Sequence, residues 1–271
     1  MDEIKEQKIV VILSLNESDH KLMENGIRLA TIFRKELCLL IQIRDKNEKS
    51  YDQLKLILEN YKQNIRHENP GLIVSHILFT GSKKSIPESV ADNEEAILIV
   101  VPASAYSNYS GALAASPVPF FFVDEKSAEI STFNKIMLGI DLRTENKDSA
   151  LWSSYFGRFN QSEIVVVAAN DRSKEGQHKV AGNLAFMKEL YKKFKLKHTI
   201  FKGAKSSLGN SFEALDLARS SGSNLLIILG SSTITPLDWL IGLPERKIVK
   251  KAGTLPVLIV NPRIDNYILC D

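Results

Sequence analysis

Lys8-Ile-Val-Val-Ile-Leu-Ser-Leu15 returns 127 positions later as Lys135-Ile-Met-Leu-Gly-Ile-Asp-Leu142. Glu36-Leu-Cys-Leu-Leu-Ile-Gln-Ile43 has its counterpart at Glu163-Ile-Val-Val-Val-Ala-Ala169, again at about 127, and Ala96-Ile-Leu-Ile-Val-Val101 at Asn224-Leu-Leu-Ile-Ile-Leu229, at 128. Three matches at a nearly constant spacing identify an internal repeat, and a repeat decides the fold before any single motif does. The 271 residues therefore read as two copies, one over residues 1–130 and the other over 131–271.

Within each copy, short β-branched runs of the kind buried on both faces alternate with longer stretches of helical period. Copy one has expected strands at 9–15, 37–43, 72–79, 97–101 and 118–123, with helices over 20–34, 51–67 and 86–93. Copy two has expected strands at 136–141, 163–169, 198–201, 225–229 and 257–261, with helices over 147–159, 174–194, 211–220 and 238–251. Strands alternating with helices predict an α/β fold, a five-stranded parallel sheet covered on both faces in each copy, with ligands at the carboxyl ends of the strands. The spacing jumps to 137 at the last strand, where Pro119-Phe-Phe-Phe-Val-Asp answers Pro256-Val-Leu-Ile-Val-Asn. Copy one is thus expected to lack about nine residues between its fourth and fifth strands, the place where copy two keeps a loop and a long helix.

Composition is that of a globular chain, 44% hydrophobic and 25% charged, which excludes disordered, collagenous and disulfide-scaffold classes. The net charge of +3 is too slight to argue for a nucleic-acid partner. It is unevenly divided: residues 1–130 hold 15 basic and 19 acidic side chains, against 20 and 13 in residues 131–271. The halves are therefore −4 and +7, opposite signs that favour docking of one on the other. No apolar run approaches the roughly 18–20 residues that span a bilayer, so no membrane is expected. Met1-Asp-Glu-Ile-Lys-Glu6 lacks the basic and apolar stretches of a secretory signal, and Cys38 and Cys270 form no CxxC pair; the expected location is the cytoplasm.

Copy two ends in Gly230-Ser-Ser-Thr-Ile-Thr-Pro-Leu-Asp-Trp-Leu-Ile-Gly242-Leu-Pro-Glu-Arg-Lys-Ile-Val-Lys-Lys-Ala-Gly-Thr-Leu-Pro256-Val-Leu-Ile-Val260. A fourth strand running into a glycine-bearing loop, an amphipathic helix and a Pro-Val final strand resembles the ending of universal stress proteins. Asp141, at the end of the first strand of the copy, matches that family's Asp. The resemblance covers copy two throughout and copy one more faintly, so the chain resembles a tandem universal stress protein. It implies two Rossmann-like domains of the adenine nucleotide alpha hydrolase-like class. It also implies an intrachain pseudo-dimer joined through the two final strands, with the whole chain a monomer or homodimer.

Family members that bind ATP carry Gly-x2-Gly-x9-Gly-(Ser/Thr) after the fourth strand. Glycines there admit close approach of phosphate, and N–H groups at a helix start point at the anion. Gly230, followed by Ser231, matches the first glycine. Thr233 stands at the second, Gly242 matches the third only after a one-residue deletion, and Leu243 replaces the hydroxyl residue. Pro244 then removes an N–H. Triphosphate binding is expected to be strongly weakened, while Asp141 with backbone at Val167 and Leu142 remains as the family's means of holding a base and ribose. AMP or ATP is accordingly the cofactor the resemblance implies, at one degenerate site. Lys202, Lys205, Arg246 and Lys247 are candidate replacement charges. In copy one Ser14 falls where Asp141 sits and no glycine pair follows the fourth strand, so no nucleotide site is assigned there.

Each of these residues also has a plainer reading: Asp141 as a cap at a strand end, and Gly230 and Gly242 as ordinary turn residues. Lys83-Lys84 after Gly81 falls short of a GxxxxGK(S/T) phosphate loop. The five histidines have no ligand spacing and no GxSxG occurs, which leaves neither a metal site nor a nucleophile triad. Tyr106 and Tyr109 fit packing over a sheet end. The expected function is that of a non-catalytic stress-response protein with at most one degenerate adenine-nucleotide site, in copy two, and an unidentified protein partner. Two other classes stay open: a nucleotide-independent interaction module, and a nucleotide hydrolase or adenylyl transferase.

Overall fold

A computed structural model describes residues 6–45, 50–231 and 243–261. Contacts between them divide the chain into two compact units, with the division between Ile130 and Ser131. Each unit is an α/β structure built on parallel strands.

The first unit runs β1 (Lys8–Leu13), α1 (Asp19–Phe33), β2 (Glu36–Ile43), α2 (Tyr51–Glu68), β3 (Val74–Thr80), α3 (Ile86–Glu94), β4 (Ala96–Pro102), α4 (Tyr106–Leu113) and β5 (Phe120–Val123). Its strand order is β3-β2-β1-β4-β5, all neighbours parallel. The second unit runs β6 (Lys135–Ile140), α5 (Asn146–Asn160), β7 (Glu163–Ala168), α6 (Lys174–Lys193), β8 (His198–Lys202), α7 (Ser207–Ser220), β9 (Leu225–Leu229), α8 (Pro244–Ala252) and β10 (Val257–Val260). Its order is β10-β9-β6-β7-β8, again parallel.

The central strands are apolar at almost every position because helices cover both sides of the sheet: all five residues of β9 and the last five of β1 are buried. The helices bury one stripe each. In α1, Leu22, Gly26, Leu29, Ala30 and Phe33 are buried at helical spacing. Gly26 is fixed by close packing, since a Cβ there would collide with Val11 Cγ2 on β1.

Strand register carries the repeat to atomic detail. Lys8 faces Glu36 in β1 and β2, and Lys135 faces Glu163 in β6 and β7, so both strands recur at 127. At β4 the register slips, with Lys8 opposite Ala96 but Ile9 opposite Leu98, which leaves Ile97 as an extra residue. The slip explains the spacing of 128 at the start of this strand: from Leu98 onward it returns to 127, since Ile9 faces Leu98 and Ile136 faces Leu225. Phe120 pairs with Ile99, and Val257 with Leu226. The last strands are thus 257 − 120 = 137 apart and the fourth strands 226 − 99 = 127, so copy two holds ten extra residues here rather than nine.

Three elements differ from the sequence expectation. One is the helix expected over 238–251, which is found as α8 from Pro244, with Leu243 before it non-helical and residues 238–242 outside the described residues. The shortened connection of copy one contains the helix α4, whose Tyr106, Tyr109, Ala112 and Leu113 are buried. Its Ser- and Gly-rich outer face hid the helical period. Tyr106 packs on Phe122 with ring centroids 5.4 Å apart, and Tyr109 on Phe120 at 5.7 Å, so both serve the core. The last difference is α7, which begins at Ser207 instead of Ser211 because Asp171, from a distant loop, accepts both the N–H and the hydroxyl of Ser207.

Candidate functional site

The loops at the carboxyl ends of β6, β7 and β9, with the starts of α7 and α8, enclose a cleft of about 430 Å³ in the second unit. Its size falls within the range of small-molecule sites. Asp141, Leu142 and Ser231 line it, as do Arg143, Asp171, Ser207, Phe212 and Glu245.

Asp141 ends β6 in a turn closed by its own carboxylate, which accepts the N–H of Arg143 at 2.8 Å. The turn is pinned from two helices. Asn146 at the start of α5 donates through Nδ2 to Asp141 Oδ1 at 2.7 Å and to the Arg143 carbonyl at 2.9 Å. Asn183 of α6 donates through Nδ2 to the carbonyls of Asp141 at 2.9 Å and Arg143 at 2.8 Å. Both asparagines are buried, where the amides satisfy carbonyls that would otherwise be costly to bury.

The Arg143 guanidinium folds back on the same carboxylate. Nη2 lies 2.6 Å from Asp141 Oδ2, and Nε lies 3.1 and 3.0 Å from the two carboxylate oxygens. Nη1 donates to the Gly230 carbonyl at 2.8 Å and Nη2 to that of Leu229 at 3.2 Å. One planar cation therefore holds the end of β6 to the end of β9, a use for which its forked donors are suited.

Other polar groups of the cleft are similarly engaged. Leu142 N–H donates to Ser207 Oγ at 3.0 Å, and Ser207 Oγ donates to Asp171 Oδ2. Asp171 Oδ1 also accepts the Ser207 N–H at 3.2 Å, supplying the cap that Ser206 does not. The Val167 carbonyl accepts Asn210 Nδ2 at 3.0 Å, and Val167 itself does not line the cleft. Gly230 donates its N–H to the Val260 carbonyl at 2.8 Å, and a Cβ on it would sit 3.0 Å from Ile259 Cγ2. Close packing against β10 is therefore a sufficient reason for that glycine. Leu243 occupies the N-cap of α8 with extended backbone and no capping side chain. Thr233 and Gly242 lie outside the described residues.

Two buried side-chain oxygens around the cleft lack a hydrogen-bond partner, Asn146 Oδ1 and one oxygen of Glu245. Glu245 stands in the first turn of α8, only 3% exposed, and its Oε1 accepts the Ser231 hydroxyl at 2.7 Å. Its Oε2 is buried without a hydrogen-bond partner. None of Lys202, Lys205, Arg246 and Lys247 lines the cleft, where Arg143 is the cation present. Asp141, Asp171 and Glu245 do not form a cluster able to hold a metal ion, and no other such cluster occurs among the described residues.

Sequence reasoning reached Asp141, Leu142 and Ser231 and missed Arg143, Asp171, Ser207 and Glu245. Arg143 had a faint signal, standing two positions beyond Asp141. The other three meet the cleft only through chain crossings that a linear reading does not contain.

At the equivalent place of the first unit, Ser14 replaces Asp141, and Asp19 stands where Asn146 stands. The Asp19 carboxylate accepts the N–H groups of Ser14 at 3.1 Å and Leu15 at 2.6 Å. Burial pushes its carboxyl above the usual range, opposed by those N–H groups. The amides at the end of β1 are thereby taken up by the chain's own acid.

No protein-family model matches the sequence, and no curated protein matches it. Solved structures match by shape. A universal stress protein from Archaeoglobus fulgidus is similar with a TM-score of 0.68 at 12% identity, over 96% of this chain and 97% of that one. A putative universal stress protein from Pseudomonas aeruginosa is similar at 0.62 and 16% identity, over 96% and 94%. The cytoplasmic domain of a prokaryotic cation chloride cotransporter is similar at 0.57 and 14% identity, over 96% and 98%. The fold is thus that of universal stress proteins, and a transporter domain shares it, so the fold alone selects no function. No described helix is long and apolar enough to cross a membrane.

Proposed function

We propose that this chain is a non-catalytic stress-response protein of the universal stress protein type, cytoplasmic, with a single degenerate adenine-nucleotide site in its second copy. The observation that carries the reading is the cleft at the strand ends of β6 and β9, bounded by Asp141, Leu142 and Ser231. This is where an open parallel sheet places its ligands. The degenerate character follows from the ending of copy two: Leu243 brings no hydroxyl and Pro244 no N–H to the start of α8. What supports the non-catalytic reading is that, among the described residues, Ser207 is bound to Asp171 and no histidine or lysine lines the cleft. The tandem domains belong to this reading on the strength of the sequence repeat, and their pairing through the final strands on the resemblance to the family.

Equilibrium dialysis against adenosine, AMP and ATP, with a parallel assay of phosphate release, tests it. Binding of an adenine compound without turnover is the expected result. ATP hydrolysis that survives purification and is lost with Asp141→Ala overturns the non-catalytic assignment, and failure of all three compounds to bind at millimolar concentration overturns the site.

A second reading, a nucleotide-independent interaction module, is favoured by one observation: Arg143 already occupies the Asp141 carboxylate. Protein partners that stay bound when Asp141 and Gly230 are both replaced would select it.

A further inference from the structure

We infer that the second unit carries a docking face for an anionic lipid surface, set at the end of its sheet opposite the cleft and built from lysines at its helix ends. None of these residues lines the cleft, so the inference stands apart from the adenine reading.

In a parallel sheet each helix returns the chain from the end of one strand to the start of the next, so α5, α6, α7 and α8 all finish at the strand starts. Every one of their last turns is basic: Arg158 in α5, Lys192 and Lys193 in α6, Arg219 in α7, and Lys250 and Lys251 in α8. All but Arg158 are exposed. A cation in a last turn ordinarily answers the helix dipole. Two observations go beyond that. The helices α1, α3 and α4 of the first unit end with no basic residue in the last turn. In the second unit the exposed Lys195 and Lys197 carry the charge past the end of α6, into the turn before β8. The acids at this end, among the described residues, are Glu163, which pairs with Lys197 at 2.9 Å, and Glu189 and Asp216, each one turn before a helix end. They leave the face strongly positive.

The distribution of the charge selects a broad partner. Packing sets α5 beside α6 and α7 beside α8, so the cations come from both helix layers. Five strands spaced by about 4.8 Å separate those layers along a face about 20 Å wide. This is a disc of charge, not a track along a groove. Its aromatic rings are already covered: Arg158 lies 4.1 Å from the ring centre of Phe194 and 5.1 Å from that of Phe159, with the Lys193 ammonium 5.5 Å from Phe194. Rings under the protein's own cations are not open to stack bases, as binding of a single-stranded nucleic acid requires. An anionic bilayer surface instead attracts each exposed lysine as a point charge. The expectation of no membrane, drawn from the apolar runs, concerns spans, and attraction at the surface needs none.

Sedimentation of the full chain with lipid vesicles tests the inference. The chain is expected to bind phosphatidylcholine vesicles that contain phosphatidylserine and to ignore those of phosphatidylcholine alone. It should be released at about 1 M salt, where the screening length falls to about 3 Å. Replacing Lys192 and Lys195 together by glutamine should lower the partition about thirtyfold, and the same change at Lys83 and Lys84 of the first unit should leave it within about threefold. No binding to the phosphatidylserine vesicles at low salt, or equal losses in the two double variants, overturns the inference. Random-sequence duplex DNA that displaces the chain from the vesicles at equal phosphate concentration also overturns it, in favour of nucleic acid. Circular dichroism checks the folding of the variants, and the comparison of the two lipids with the unaltered chain is a test whether or not they fold.

Discussion

Replacing Arg143 by alanine should destabilise the second unit by about 2 kcal/mol, most of it recoverable by removing the Asp141 charge as well. Asp141 is 4% exposed, and Arg143 supplies its side-chain cation at 2.6 Å. Removing one partner of a fully buried pair costs about 3–5 kcal/mol, because the other charge is left desolvated. The Arg143 side chain is 33% exposed, so water can replace part of what it gives. The cost is accordingly lowered to about 2 kcal/mol. Asn146 Nδ2 and the Arg143 N–H would still serve Asp141 Oδ1, which also argues against the upper end. In Asp141→Asn with Arg143→Ala no uncompensated charge remains, so the double variant should be less destabilised than the sum of the singles by about 1 kcal/mol or more. Both tryptophans, Trp152 and Trp239, fall in the second half of the sequence, so tryptophan fluorescence during urea unfolding follows that half. A coupling below about 0.3 kcal/mol, the level expected for independent sites, would refute the claim that this pair holds the site closed.

Cys38 is fully buried, and burial pushes its thiol up to about 12. In a Cys270→Ser background the native chain should therefore resist alkylation at pH 8.5 and react on denaturation, as followed by mass spectrometry. Lys8 is raised above its ordinary 10.5: burial lowers it, but the hydrogen bond to Glu94 and the charges of Glu36 and Glu94 outweigh burial. A raised folded value means that its stabilisation is complete below pH 10.5 and fades as pH rises beyond it. The thermal midpoints of wild type and Lys8→Met should thus differ at pH 8 and converge above that value. Gly139→Ala should cost about 1–2 kcal/mol, since a Cβ there lies 2.8 Å from Asn210 Oδ1, on a side chain whose Nδ2 serves the Val167 carbonyl. Urea unfolding measures it, and adding Asn210→Ala should abolish the extra clash.

The strands were legible because burial on both faces leaves little choice of residue: β9 is expected at 225–229 and is found as Leu225–Leu229. Helices with a strong apolar stripe were equally plain, while α4, short and rich in Ser, Tyr and Gly, was not. The start of α7 escaped because its cap is supplied by Asp171, which is 36 residues away from Ser207 in the chain. At the site the sequence carried the strand-end positions, Asp141 and Gly230, but not the use made of them. Gly230 lies against β10, and Asp141 is matched by an arginine two residues along whose other donors reach the end of β9.

By itself the sequence determined that the chain repeats and, to within a few residues, where each strand lies. These are properties of pattern and spacing, which backbone periodicity translates directly into structure. Tertiary structure decided the chemistry of the cleft. Which charges are paired depends on crossings between β6, β9, α7 and α8, which match Asp141 with Arg143 and leave Glu245 held by the Ser231 hydroxyl through one oxygen.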